Sequence, residues 1–98
     1  MTTIGDIKAA FLSAAYGKLT PQLMKYTASL DDSGLKARIV VLESIGEEEL
    51  DTVFEILGDM VGHLGGAADF DLERVASRSK VEQSPSLPIL LFRAHVAP

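Results

Sequence analysis

The residues that could carry out chemistry are few in this chain. It has no cysteine, which excludes a cysteine nucleophile, a thiolate metal site and a disulfide. Its two histidines are His63 and His95, and no Gly-x-Ser-x-Gly turn specifies a serine nucleophile beside either of them. Asp59 and His63 are four residues apart and would share one face of a helix. With Asp69 and Asp71 they could form a carboxylate–imidazole metal site. A solvated acidic surface is the simpler interpretation, so we expect no catalytic residues, metal or cofactor.

Anion-binding chemistry is also weakly supported. Gly65 and Gly66 follow a predicted helix, whereas a phosphate cradle precedes one. The formal net charge of −5 disfavours nucleic acid as a partner. A local basic patch could still form on the predicted hairpin from Lys25, Lys36 and Arg38.

The distribution of charge is the most informative feature of the sequence. The segment from Glu43 to Glu73 contains ten acidic residues and no Lys or Arg, whereas the remaining residues include four acidic and nine basic ones. Four of these acidic side chains project within an arc of roughly 80° on one predicted helix. They are Glu48, Asp51, Glu55 and Asp59.

Like charges at these spacings destabilise a helix by a few tenths of a kcal/mol per pair, and no Lys in the segment offsets them. The pattern therefore predicts an electrostatic docking surface for a basic protein partner, to which Asp69 and Asp71 could contribute. The alternative is an acidic face that only keeps the protein soluble.

Several elements must position these residues. A helix is predicted over 3–16, capped by Thr3 with Asp6. The alternation in 23–30, the turn at 31–34 and the apolar run in 35–43 predict a hairpin whose second strand is central and covered. The strongest helical pattern covers 46–64, where Ser44-Ile45-Gly46-Glu47 fits a capping box. A strand follows at 68–79, with a bulge near Arg74 and Val75, and the last strand is predicted at 87–96.

The order αββαββ predicts an α+β fold, a two-layer sandwich in which a four-stranded, mainly antiparallel sheet carries two helices on one face. The other face would be open to solvent or to a partner. The length of 98 residues favours a single domain over 1–98. No apolar run approaches a membrane span and the first residues do not resemble a secretory signal, so we expect a cytoplasmic protein that does not contact membranes.

The sequence between residues 24 and 95 resembles small bacterial proteins found beside polymorphic toxins, among them immunity proteins of contact-dependent inhibition systems. The resemblance lies in the run from Lys36 to Glu43, the Glu-rich helix start at 47–49, Ser86-Leu87-Pro88, and Phe92-Arg93. It implies a single α+β domain without enzymatic activity that binds and blocks a toxin domain, often a nuclease with a basic cleft. The match is one of pattern, so it assigns no role to an individual residue.

A second hypothesis is a homodimeric small-ligand-binding or regulatory domain, with a pocket between two open sheet faces. Its candidate pocket residues are Tyr26, Phe70, Phe92, Arg93 and His95.

Overall fold

A computed structural model describes residues 2–32, 34–66 and 68–94. The α-helices are α1 (Ile4–Ala15) and α2 (Glu47–Leu64), the strands are β1 (Leu23–Asp31), β2 (Gly34–Leu42), β3 (Ala68–Val75) and β4 (Ile89–Arg93), and a 3₁₀ helix covers Arg78–Gln83. The strands form one sheet in the order β3-β2-β1-β4. The α+β class and the element order predicted from sequence are therefore confirmed, with an additional 3₁₀ helix.

The two α-helices begin in different ways. Thr3 caps α1 as predicted: its Oγ1 accepts the Asp6 N–H at 3.1 Å, and its own N–H donates to Asp6 Oδ2 at 2.9 Å. The capping box predicted for α2 is wrong, because the N-cap residue is Gly46, which has no side chain to accept a hydrogen bond. Three glutamates occupy the first turn of α2, where the helix dipole favours negative charge.

The sheet is mixed. The hairpin of β1 and β2 is antiparallel as predicted, and β4 also pairs antiparallel with β1. In contrast, β3 pairs parallel with β2, from Leu35 opposite Ala68 to Leu42 opposite Val75. This arrangement follows from the position of α2. A helix that connects two neighbouring strands returns the chain to the end of the sheet at which the first strand began, so the second strand runs parallel to the first. The antiparallel prediction is therefore correct for two of the three pairings among the described strands.

Both α-helices pack on one face of the sheet. Their buried side chains form a single apolar core with those of the strands beneath them. The largest fully buried members are Ile7, Leu23, Tyr26, Ile39, Ile56 and Met60. The placement of the two helices on one face is confirmed, and β2 is central and covered, as its apolar run indicated.

The opposite face is covered in part, so the prediction of an open face is wrong over that area. Residues 76–88, which we call the strap, connect one sheet edge to the other and contain the 3₁₀ helix. Val81 of the strap packs with Met24, Val40 and Val75 in a second small apolar cluster.

The strap also explains the apparent phase slip near the end of β3. Val75 continues the face of Asp71 and Glu73, and the register with β2 runs unbroken to Val75. No bulge is present there. The residue is apolar because Val81 covers it. The bulges lie instead in β1, between Leu23 and Lys25 against β2 and after Tyr26 against β4.

The last strand is shorter than predicted. It spans Ile89–Arg93, and residues 95 and 96 of the predicted strand lie outside the described residues. Within the described ranges, neither α-helix has the length and apolar character needed to cross a membrane.

The buried Tyr26 generates a prediction about stability. Its side chain is fully buried against Phe11, with ring centroids 5.1 Å apart. Its hydroxyl has no hydrogen-bond partner among the described residues. Tyr26→Phe should therefore leave the free energy of unfolding at pH 7 unchanged or raise it by up to about 1 kcal/mol. Chemical denaturation measures this, with Tyr16→Phe at an exposed position as the matched control.

The same substitution should change the response to alkali. Burial raises the pKa of Tyr26 above its ordinary value of 10. The unfolded chain loses this proton more readily than the folded chain does. The free energy of unfolding therefore keeps its full value below pH 10 and falls as the pH rises further. Above pH 10, Tyr26→Phe should lose less stability than the wild type or Tyr16→Phe. A large loss of stability at pH 7 would show instead that the hydroxyl makes a hydrogen bond.

Candidate partner-binding surface

The four acidic residues predicted on one face of α2 do share that face. Glu48, Asp51, Glu55 and Asp59 are all exposed. The buried residues of the helix, such as Val53 and Met60, lie on its other side, against the sheet. We call these four residues the acidic stripe. The contacts of α2 with the core therefore fix the direction in which the acidic stripe points.

The N-terminal end of α2 carries four carboxylates, two of which, Glu48 and Asp51, belong to this stripe. Glu47, Glu48, Glu49 and Asp51 form no ion pair within the described part of the chain. The peptide dipoles of the first turn offset some of their mutual repulsion. The result is a compact group of carboxylates, half-buried at Glu49 and exposed at the other three, at the start of a helix whose opposite face is buried.

The C-terminal half of the stripe is different. Lys18, in the loop after α1, places its Nζ 2.5 Å from Asp59 Oδ2 and 3.9 Å from Glu55 Oε2. The hydrogen bond that Lys18 donates to Asp59 is the main reason why the pKa of Lys18 is raised. No lysine within the acidic segment offsets the repulsion, as the sequence indicated, but at this end a lysine from outside the segment does. The segment between Glu43 and Glu73 has no base of its own, but the packing of α1 on α2 supplies one.

Asp69 and Asp71 belong to another surface. Both lie on β3, where alternate residues such as Phe70 point toward α2, its ring 5.2 Å from that of Phe54. The two aspartates therefore point to the opposite face of the sheet. Asp71 lies 3.7 Å from Lys36 Nζ, and Asp69 Oδ1 accepts the N–H of its own neighbour. The structure thus separates the six acidic candidates into four on α2 and two on the far side of the sheet.

The basic residues of the hairpin are also largely neutralised on that far side. Arg38 donates to Glu73 Oε1 at 2.8 Å, and Lys36 faces Asp71. Arg93 forms an ion pair with Glu82 of the strap. Two members of the local basic patch considered for nucleic acid, Lys36 and Arg38, are therefore matched by carboxylates of β3.

Lys25 is the least expected member of this face. Its side chain is buried, and its Nζ donates to the backbone oxygens of Ser84 at 3.0 Å and Val81 at 3.4 Å. Desolvation lowers the pKa of Lys25, and the nearby Arg93 and Arg38 lower it further. Sequence alternation places Lys25 on the face opposite Tyr26, and no local signal indicates that the strap, which is distant in sequence, covers it.

The pocket candidates of the ligand-binding hypothesis do not converge. Tyr26 is buried beneath α1, and Phe92 pairs with it on the helix-covered side. Phe70 contacts α2, whereas Arg93 lies on the strap side. His95 lies outside the described residues. The four candidates among the described residues therefore do not line one common face of the sheet.

The metal candidates are dispersed as well. Asp59 is bound by Lys18, and Asp69 and Asp71 lie across the sheet from it. His63 lines a shallow groove between α1 and α2 together with Asp6 and small side chains of α1. Within residues 2–32, 34–66 and 68–94, no group of three His, Asp or Glu side chains is arranged to hold a metal ion.

No protein-family model matches this chain, and comparison with curated proteins finds no significant match.

The ion pair of Lys18 can be tested by substitution. Lys18→Met leaves the carboxylates of Glu55 and Asp59 uncompensated, so the melting temperature should fall slightly at low ionic strength. The difference should shrink as salt screens the charges. Lys8→Met, on an exposed position of α1, is the control and should have no salt-dependent effect. An equal response of both variants would show that the pair contributes nothing to stability.

Proposed function

We propose that the protein is a non-enzymatic binding module that docks a basic protein partner through the exposed acidic face of α2. The observation that carries this proposal is the group of carboxylates at the N-terminal half of the helix, Glu48 and Asp51 among them, that form no ion pair with any residue the structure describes. Such a surface speeds association and selects a partner of complementary charge.

The internal compensation at Asp59 sharpens the proposed surface. Because Lys18 already occupies the C-terminal end of the stripe, a partner gains most from contacts with Glu48 and Asp51, and Glu55 lies at the boundary. A helix with its other face in the core presents these groups on a rigid support. Asp69 and Asp71 would then be peripheral, because the sheet separates them from α2.

The resemblance to immunity proteins suggests a specific kind of partner, a basic toxin domain such as a nuclease. Binding would neutralise the toxin by covering its basic cleft, which needs no catalytic residue in the inhibitor. The proposed compartment is the cytoplasm, where such a toxin would act. These assignments rest on the resemblance together with the unpaired charge on α2.

Paired charge reversals test which acidic surface is used. Glu48→Lys with Asp51→Lys should weaken binding of a basic partner by about tenfold or more and reduce the dependence of affinity on salt. Asp69→Lys with Asp71→Lys changes the net charge equally on the other side of the sheet and is the matched control. The partner would be the basic protein that the wild-type chain retains from lysate of its native cell, and affinities would be measured by surface plasmon resonance at low and high salt.

The two pairs of reversals separate the possible outcomes. Loss of binding in the α2 variant alone supports the proposed surface. Equal loss in both variants would show that net charge, and not the α2 face, governs the interaction. Unchanged binding in the α2 variant would contradict the proposal directly. Circular dichroism of each variant checks that the fold is retained.

A further inference from the structure

The strap differs from the rest of the molecule in how it is held. Most of its residues are exposed, and Val81 is its one fully buried apolar side chain within the described residues. Its helical segment is a 3₁₀ helix of six residues whose N-cap, Ser77, makes no side-chain capping bond. Short 3₁₀ segments have poorer hydrogen-bond geometry than α-helices. A segment with so few buried contacts belongs to the low-stability end of a fold.

The remaining attachments of the strap are polar. Arg93 of β4 pairs with Glu82, and Arg78 donates to the Pro21 oxygen at 3.4 Å, whereas three side chains of the sheet bond the strap backbone. Lys25 Nζ donates to the backbone oxygens of Val81 and Ser84. Arg38 Nε donates to the Pro85 oxygen at 2.8 Å, and Thr27 Oγ1 accepts the Leu87 N–H at 3.1 Å. The sheet thus supplies the partners that this part of the strap backbone lacks within its own segment.

Among these attachments, Lys25 holds a special position. It is a buried cation whose two acceptors are both strap carbonyls, near the C-terminal end of the 3₁₀ helix. Carbonyls at a helix C-terminus carry partial negative charge and favour a cation. Arg38, in contrast, also pairs with Glu73 of β3. If the strap lifts, Arg38 keeps a partner, whereas Lys25 loses both of the acceptors that compensate its burial.

We propose that the strap opens as a unit while the four-stranded sheet stays folded, and that the Lys25 ammonium, bound to the Val81 and Ser84 carbonyls, is the latch that holds it closed. Opening uncovers the apolar side chains of Met24, Val40 and Val75 together with the basic groups of β1 and β2. The whole face of the sheet that lies opposite the α-helices would thereby become accessible. This device is independent of the proposed partner binding.

Native-state hydrogen exchange tests the opening. Two amides report on the strap: that of Ser84, which donates to the Val81 oxygen, and that of Leu87, which donates to Thr27. In the wild-type protein they should exchange at least about tenfold faster, relative to their intrinsic rates, than central amides of β2. Their exchange should also depend less on denaturant, because strap opening exposes less surface than global unfolding. Identical protection and denaturant dependence in the strap and in β2 would overturn the proposal.

Substitution of Lys25 tests the latch. Lys25→Met should accelerate exchange of the Ser84 and Leu87 amides by about tenfold, the loss expected for hydrogen bonds from a charged donor. Cleavage by trypsin after Arg78 and Lys80 should accelerate in parallel, while thermal unfolding of the sheet stays cooperative. Lys36→Met is the matched control, because Lys36 lies on the same face and pairs with Asp71 instead of the strap.

Any other result for the Lys25→Met variant contradicts part of the proposal. If Lys25→Met leaves strap exchange as slow as in Lys36→Met, Lys25 is not the latch. If Lys25→Met does not fold, Lys25 is part of the core and the latch is again wrong. Val81→Ala then tests the opening by itself, since it removes the apolar anchor and should accelerate strap exchange. Unchanged strap exchange in Val81→Ala would show that the strap does not open independently.

Discussion

The central strand β2 has apolar side chains on both of its faces, so both faces must be shielded from water. The rest of the structure depends on how each face is covered. Ile39 and Val41 face the α-helices, whereas Val40 faces the strap. The α-helices cover their face with an amphipathic surface whose backbone bonds are internal. The strap covers the other face with irregular backbone, which needs hydrogen-bond partners from the sheet. The buried Lys25 and Thr27 follow from that need.

The same topology determines where charge accumulates. Because α2 connects two parallel neighbours, its core-facing side is fixed by the sheet and its acidic side must point to solvent. The strand that follows it lies at the sheet edge, and two of its acidic residues, Asp71 and Glu73, pair with Lys36 and Arg38 of β2. Among the described residues, a segment that is uniformly acidic along the chain is thus divided in space into a mostly paired set on β3 and a set on α2 in which Glu55 and Asp59 alone contact a base. This division is the reason why we propose the α2 face, and not the β3 face, as the surface that binds a partner.

Sequence periodicity predicted the elements whose patterns are local. The capped start of α1, the hairpin and the apolar arc of α2 all depend on spacings within one segment, and each was correct within a few residues. The parallel β2–β3 pairing, the strap and the Lys18–Asp59 pair depend on residues that are distant in sequence. Val75 illustrates the difference. Its apolar side chain interrupts the alternation of β3 and therefore suggested a bulge. The true reason is that Val81 covers it, and Val81 belongs to a segment without helical or strand periodicity.

The candidate site was predictable to the same extent. Helical spacing places Glu48 and Asp51 correctly, because their direction depends only on α2. It does not reveal that Lys18 neutralises Asp59, since a lysine after Gly17 has no sequence relation to α2. The two faces of the sheet also differ in stability: the acidic surface stands on a helix anchored by four buried side chains, whereas the strap depends on one valine and a few polar contacts. A rigid charged surface suits rapid and selective docking, and the weakly held strap is where conformational change costs least.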